Sequence, residues 1–298
     1  NSKSITHRSK FFKFTASALV FIFTLTTITE FGSLAFAMPV GSGATSGGNQ
    51  SAQLSQISES SGAVQSFQPD LFTGRAQTSV PIFVPPGRKN VQPNLNLSYS
   101  SSGGNGWLGM DWSLDLGFIQ RDIKNGVTNY DSTDTYVFSF QGVYSELVET
   151  GTPDEYVAKD EALFLKFEYD DTNDKWTVTD KSGTQHIFGG SAACRQDGPG
   201  SDTFRWQLSK VVDTKGNYMT VTHTENGGHL YLSSVEYNGN ETQSFAHSHK
   251  VEFTLEDRND DSFSYISGAK DEIKKRLKTI EVKVKDSGVT YHHARKYN

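Results

Sequence analysis

The chain alternates. In "NLNLSYS", Leu95, Leu97 and Tyr99 fall on one face of an extended segment and Asn94, Asn96 and Ser98 on the other. From Leu108 the even positions read Leu, Met, Trp, Leu, Leu, Phe to Phe118, and the odd ones read Gly, Asp, Ser, Asp, Gly. This predicts one continuous strand over 108–118 with a single buried face. Further runs of the same period are "KWTVTD", "TQHIFGG", "FRWQLSKVVD", "YMTVTHT", "HLYLSSVEY", "HKVEFTLED" and "RLKTIEVKV". Turn signals separate them: Lys181-Ser182-Gly183, Thr214 to Asn217, Gly227-Gly228 and Asn238-Gly239-Asn240. Helical periodicity is nearly absent, and only Ala269–Leu277 is expected to hold a helical turn. The fold class predicted is all-β, built of antiparallel strands and hairpins.

The glycines of "GNGWLG", Gly104, Gly106 and Gly109, match the spacing of a dinucleotide-binding loop. Such a loop must open a helix whose N-terminus meets the pyrophosphate. Here the residues after the glycines alternate with a period of two, and Asp111 would place negative charge where phosphates must sit. The cluster is therefore expected to form a β-hairpin bent within Ser100–Gly106, with Trp107 and Trp112 anchoring the return strand. No nucleotide or other cofactor is expected.

The front of the chain reads differently. Lys3, Arg8, Lys10 and Lys13 precede the apolar run Phe14–Thr29, and "AFA" ends at Ala37 before Met38. This is the pattern of a secretory signal peptide over 1–37, cleaved between Ala37 and Met38. Residues 38–66, rich in Gly, Ser and Gln, are expected to form a flexible leader. Order is expected from Phe67, with one β-region over 67–150 and another over 151–298. Removal of 1–37 takes away four basic residues and one acidic one, shifting the formal net charge from −6 to −9. Such a protein is a poor partner for nucleic acid or an anionic membrane, and no membrane span is expected after signal removal. The single Cys194 can form no internal disulfide and is read as a buried or half-buried small residue. The sequence starts on Asn, and "GVTYHHARKYN" stops in mid-pattern, so it is expected to be a piece of a longer protein.

Candidate chemistry is sparse. His247 and His249 lie two apart with no third metal ligand at a fitting spacing, and are read as exposed. Asp170–Asp174 in "YDDTNDK" is half of a calcium loop, lacking the Gly and closing Glu, and suits a hairpin turn; "RNDDS" at 258–262 is read the same way. No G-x-S-x-G, H-E-x-x-H, Walker A or E-x-E pattern occurs, so no catalytic residue is assigned and the chain is read as non-enzymatic.

Six elements in order carry a more specific signal. They are G-x-A-x-x-x-x-P-I over Gly74–Ile82 including Pro81; Pro86-Gly87-Arg88; P-x-L-x-L-x-Y-x-S including Tyr99; and G-N-G-x-x-G with Asn105 and Trp107. The last two are W-x-L-x-x-x-x-I-x-R, with Trp112, Leu114 and Arg121, and then Tyr130-Asp131 with Asp134. This stretch resembles the N-terminal domain of the Salmonella virulence plasmid 65 kDa B protein family. That domain also opens the B components of insecticidal Tc toxin complexes and many secreted Rhs/YD-repeat proteins. The resemblance implies part of a large β-shell that encloses or delivers a C-terminal toxic effector. Its partners would be the rest of its own polypeptide and other toxin-complex subunits, outside the producing cell. A surface adhesion or interaction module without cargo is the second reading.

Overall fold

The computed structural model describes residues 68–69, 74–286 and 289–298. The proposed signal peptide, its Ala37–Met38 cleavage point and the 38–66 leader lie outside them. The described chain is nearly all β, as its alternation predicts.

Three layers succeed one another. β1 (Gln68–Pro69), β2 (Ala76–Pro81) and β3 (Asn96–Ser100) form a small sheet. The hairpin β4 (Asn105–Gly106) and β5 (Gly109–Met110) stands beside it, and β6 (Trp112–Ser113) returns to pair with β3. Next come β7 (Phe118–Arg121), β8 (Tyr136–Phe140), β9 (Val143–Glu149), β10 (Glu155–Ala158), β11 (Lys166–Asp170), β12 (Lys175–Thr179) and β13 (Gln185–Phe188), each antiparallel to the one before. After the short β14 (Arg195–Asp197), β15 (Thr203–Val212) pairs with β13 on one edge and β7 on the other. That closes an eight-stranded barrel. Residues 150 and 151, the expected boundary between two β-regions, fall in the turn between β9 and β10.

The third layer grows from the same β15. Its last residues also pair with β16 (Asn217–Asn226), which leads into β17 (His229–Asn240), β18 (His249–Ser264), β19 (Asp271–Lys285) and β20 (Tyr291–Tyr297) as a meander. Ring and meander thus share one strand and form one continuous sheet.

Aromatic side chains fill the ring. Trp176 and Trp206 are fully buried, with centroids 6.1 Å apart. Tyr136 sits 5.0 Å from Trp176 and 5.9 Å from Trp206, and both contacts are edge-on. Phe138 and Phe167 meet at 4.8 Å. Such pairs add to the burial energy and fix ring orientations. No β-strand alone could bury these rings; closure removes the edges that would otherwise expose them.

Two turns of the same composition organise the strands. Asp180 and Asp213 each accept from backbone N–H groups two and four residues on: Ser182 and Thr184 at 2.7 and 3.0 Å, and Lys215 and Asn217 at 2.8 Å each. Gly183 and Gly216 take the left-handed conformation that such turns require, at φ +81° and +77°. The Gly227-Gly228 turn joins β16 to β17 as predicted, both residues having positive φ.

Three expectations fail. Asn238-Gly239-Asn240 is no turn: β17 runs through it, with a bulge at left-handed Asn238, and the reversal comes at Glu241–Ser244. Ala269–Leu277 contains no helix, since β19 begins at Asp271 and pairs along β18. "RNDDS" is not a hairpin turn but a bulge inside β18, between the pairs Asp257–Lys275 and Ser262–Ile273.

Candidate functional site

The glycine cluster forms a hairpin, as predicted, but its geometry differs from the expected one. The bend is Trp107-Leu108, with Asn105 facing Met110 and Gly106 facing Gly109. Positive φ occurs at Gly109 and Asp111, not within Ser100–Gly106. Gly103 serves close approach instead: a Cβ there would lie 2.9 Å from the Asp111 Cα. The single strand expected over 108–118 is broken into β5, β6 and the start of β7. Asp111 and Gly117 turn the backbone at φ +67° and +103°, and Asp115 Oδ1 accepts the Gly117 N–H at 2.8 Å.

The hairpin is clamped by a residue far along the chain. The Arg258 side chain is 2% exposed. Its Nη1 donates to the Gly106 carbonyl at 2.9 Å and its Nη2 to Asn105 Oδ1 at 2.6 Å. Nε and Nη2 also reach the two carboxylate oxygens of Asp260 at 3.0 and 2.7 Å. The planar guanidinium matches this set of acceptors; an ammonium would not. Trp107 then packs edge-on against Tyr231 and Phe253, each at 6.4 Å, and its carbonyl accepts the Leu277 N–H at 2.8 Å. Trp112 lies over Tyr99 at 5.3 Å, and Leu114 packs against the core.

The earlier motif residues reach the meander. Pro81 ends β2. After Pro86, Gly87 donates to Gln92 Oε1 at 2.6 Å, and a Cβ on it would collide with the Val91 carbonyl oxygen at 2.2 Å. The Arg88 N–H donates to Asn238 Oδ1 at 3.0 Å, and its guanidinium lies 4.7 Å from the Phe245 ring centroid. The Pro85 carbonyl accepts the Tyr237 hydroxyl at 2.8 Å.

Arg121, Tyr130 and Asp134 meet where β7 ends and β15 begins. Arg121 Nη1 donates to Asp134 Oδ2 at 2.8 Å and Nε to the Thr203 carbonyl at 2.9 Å. The Asp134 carboxylate also accepts the N–H groups of Asn129 and Tyr130. Tyr130 reaches the Ser267 carbonyl through its hydroxyl, which ties this loop to the β18–β19 hairpin. Asp131 caps its own loop by accepting from Thr133 N–H at 2.8 Å. At the β11–β12 turn, Asp174 accepts from Tyr169 Oη at 2.9 Å, Thr203 Oγ1 at 2.6 Å and Trp206 Nε1 at 2.8 Å. This carboxylate, one of the candidate calcium ligands, is spent on the barrel.

The histidines are more enclosed than expected. His247 packs at a tilt against Tyr218 at 4.3 Å and is only 13% exposed at its side chain, and His249 lies 5.0 Å from Tyr237. Burial holds both below the usual imidazole range. His186 lines a cleft of about 780 Å³ with Asp115, Asn96, Gln141 and Met219. Cys194 is buried, and desolvation pushes its thiol up. Among the described residues no group of three or more His, Cys, Asp or Glu could hold a metal ion, and no helix is long and apolar enough to cross a membrane.

Comparison with known proteins places this architecture. The profile of the Salmonella virulence plasmid 65kDa B protein family matches residues 71–259. The chain belongs to that family. A family relative, the mono(ADP-ribosyl)transferase SpvB of Salmonella choleraesuis strain SC-B67, is 28% identical over 194 residues, covering 56% of this chain and 32% of the relative. The chain thus spans about a third of the length of the curated SpvB proteins it matches. The solved N-terminal domain of effector protein SpvB from Salmonella typhimurium strain LT2 superposes with a TM-score of 0.62 at 20% identity. It covers 72% of this chain and 90% of that domain. A chain of the Photorhabdus luminescens Tc holotoxin pore superposes with a TM-score of 0.64 at 19% identity, covering 79% of this chain and 14% of that one. The fold is therefore that of the SpvB N-terminal domain and of a Tc toxin component.

These names correct one expectation. The absence of catalytic motifs points to a non-enzymatic chain, yet the curated relatives are mono(ADP-ribosyl)transferases. Motif absence within a segment that corresponds to 32% of such a protein is no guide to the class of the whole.

Proposed function

We propose that this segment is the N-terminal scaffold of an exported SpvB/Tc-type toxin protein, a piece of a β-shell that encloses or delivers a C-terminal effector. The carrying observation is the continuity of the sheet. The closed ring runs through β15 into a meander whose last strand, β20, pairs only with β19 among the described residues. A wall can be extended strand by strand from such an edge. The presence of this fold in a Tc holotoxin supports other toxin subunits as partners. Export would follow from the proposed signal peptide.

The test is protection of the effector in the full-length toxin that carries this segment. Limited proteolysis is expected to spare the effector while the segment is intact. Arg121→Ala, which removes the bonds to Thr203 of β15 and to Asp134, is expected to expose it. An effector cleaved equally fast with and without the segment overturns the reading.

A surface interaction module is the second reading, favoured by the apolar tip of the β18–β19 hairpin. There Phe263 and Tyr265 are 64% and 56% exposed. Saturable binding of the 298-residue chain to target cells, lost in Tyr265→Ser, would favour it over the shell.

A further inference from the structure

The cleft of about 780 Å³ that His186 lines lies between the small sheet and the barrel. Pockets of about 300–1,000 Å³ are the usual size for small ligands. Asn94, Asn96 and Ser98 line it from the small sheet. They are the polar half of the alternation in "NLNLSYS", whose Leu95 and Leu97 belong to the core. Ser113 of β6, paired with Ser98, continues that side. From the barrel come Gln141 in the β8–β9 turn and three buried apolar side chains, Phe140, Leu208 and Met219.

The lining offers little free charge. Asp115 accepts the Gly117 N–H at 2.8 Å and the Ser139 hydroxyl at 3.3 Å, and the Arg205 guanidinium lies in its field. Asp213 accepts two backbone N–H groups and, at 2.7 Å, Asn217 Nδ2. Lys89 lines the cleft as well, at an exposed position.

The groups left open are neutral. Asn96 Nδ2 donates to Asn94 Oδ1 at 3.0 Å, which leaves Asn96 Oδ1 and Asn94 Nδ2 free. Among the described residues the Gln141 side chain makes no hydrogen bond. His186 is an independent observation. It is 7% exposed, and neither of its buried ring nitrogens has a hydrogen-bond partner. Asp180 Oδ2 stands 3.8 Å from its Nε2, beyond hydrogen-bond length. Burial holds the imidazole below its usual range, so near neutral pH it is an uncharged ring with one donor and one acceptor. Amides and a neutral imidazole that donate and accept, set beside an apolar patch, suit hydroxyls that do both and ring C–H faces that are apolar. An apolar ligand would leave the amides unpaired.

We propose that this cleft binds a neutral saccharide of one or two rings. Its hydroxyls pair with Asn94, Asn96, Gln141 and His186, and one ring face lies against Phe140 and Met219. This assignment is independent of the shell reading.

The full 298-residue chain is titrated with glucose, galactose, N-acetylglucosamine and maltose in turn, and with glucuronate as a charged comparison. Binding is followed by NMR at the His186 ring and the side-chain amides of Asn94, Asn96 and Gln141. At least one neutral sugar is expected to saturate with Kd of about 10 mM or tighter, and glucuronate to bind more weakly. Gln141→Ala, at an exposed turn, is expected to weaken binding about threefold or more and to leave the fold intact. His186→Phe keeps a ring beside Phe140 and removes the unpartnered nitrogens. It is expected to keep or raise the melting temperature while weakening binding, which a purely structural histidine would not do. The proposal is overturned if none of the four sugars saturates by about 100 mM or if glucuronate binds as tightly. It is also overturned if the shifts fall elsewhere, or if folded Gln141→Ala and His186→Phe bind unchanged.

Discussion

Arg258 and Gly106 stand 152 residues apart in sequence and are joined by a 2.9 Å hydrogen bond from guanidinium to carbonyl. Through this bond and the one to Asn105, β18, the middle strand of the meander, holds the β4–β5 hairpin. Arg258→Met leaves the Gly106 carbonyl and Asn105 Oδ1 without a buried donor. It is expected to cost about 2–4 kcal/mol, read as a lowered urea midpoint. Arg258→Lys is expected to recover little of that, because one ammonium cannot serve all of these acceptors. Asp260→Asn, at an exposed carboxylate, is expected to change the midpoint only slightly.

Asp174 gives a second prediction. Asp174→Ala strands the hydroxyls of Tyr169 and Thr203 and leaves the Trp206 indole N–H only the residue-174 backbone carbonyl at 3.2 Å, and is expected to destabilise by about 2 kcal/mol. Calcium is expected to leave the melting temperature of the unaltered chain unchanged, since this carboxylate already faces three protein donors. A calcium-dependent rise would show that the turn reorganises around the ion.

Gly216 tests the aspartate–glycine turn. At φ +77°, an added Cβ would come within 2.3 Å of Thr242 Oγ1 and 3.0 Å of the Thr242 backbone nitrogen. Gly216→Ala is expected to cost about 2–3 kcal/mol, conformation and collision together. At Gly142, φ is similar at +81° but nothing lies within 4 Å. Gly142→Ala is expected to cost only about 1 kcal/mol. Urea unfolding of the two variants separates the terms.

Stability is expected to fall with acid. Burial depresses His223 to about 4 and holds His186, His247 and His249 below their usual range. The unfolded chain then binds protons that the folded chain refuses, so stability is full above about pH 6.5 and is lost as pH falls toward 4. For His223 alone the difference corresponds to roughly 3 kcal/mol. Asp115 acts in the opposite sense, because burial raises its carboxyl and the folded chain takes that proton first. The melting temperature is expected to drop between about pH 7 and 4, and less steeply in His223→Phe.

Local signals are legible in the sequence and distant ones are not. Asp180 with Gly183 and Asp213 with Gly216 are turns because side chain and backbone meet within four residues, which spacing reveals. Gly227-Gly228 is legible for the same reason. Asn238-Gly239 carries an equally good turn signal, but pairing with Tyr218 and the Asn240–Asn217 side-chain bond at 2.8 Å turn it into a bulge. Ala269–Leu277 has helix-forming residues, yet Lys275 and Arg276 pair across to Asp257 and Glu256 and Leu277 joins the core. Tertiary context overrides propensity there. Closure of the ring by β13 and β15, and the reach of Arg258 to Asn105, depend on partners that nothing in local sequence names. The motif residues stand out in the sequence one by one. Only the structure shows that Arg121 and Asp134 touch, and that Gly106 answers to an arginine in β18.

The sharing of β15 between ring and meander has a mechanical consequence. A pull on the last strand can peel β20, β19, β18, β17 and β16 away one at a time, each losing one sheet neighbour and, for β19, β18 and β17, the ties to Trp107, to Asn105 and Gly106, and to Arg88. On reaching β15 the same pull must break two seams at once, in a cylinder packed with indoles and phenols. The molecule would yield by steps and then hold, leaving the ring as the final knot in the thread.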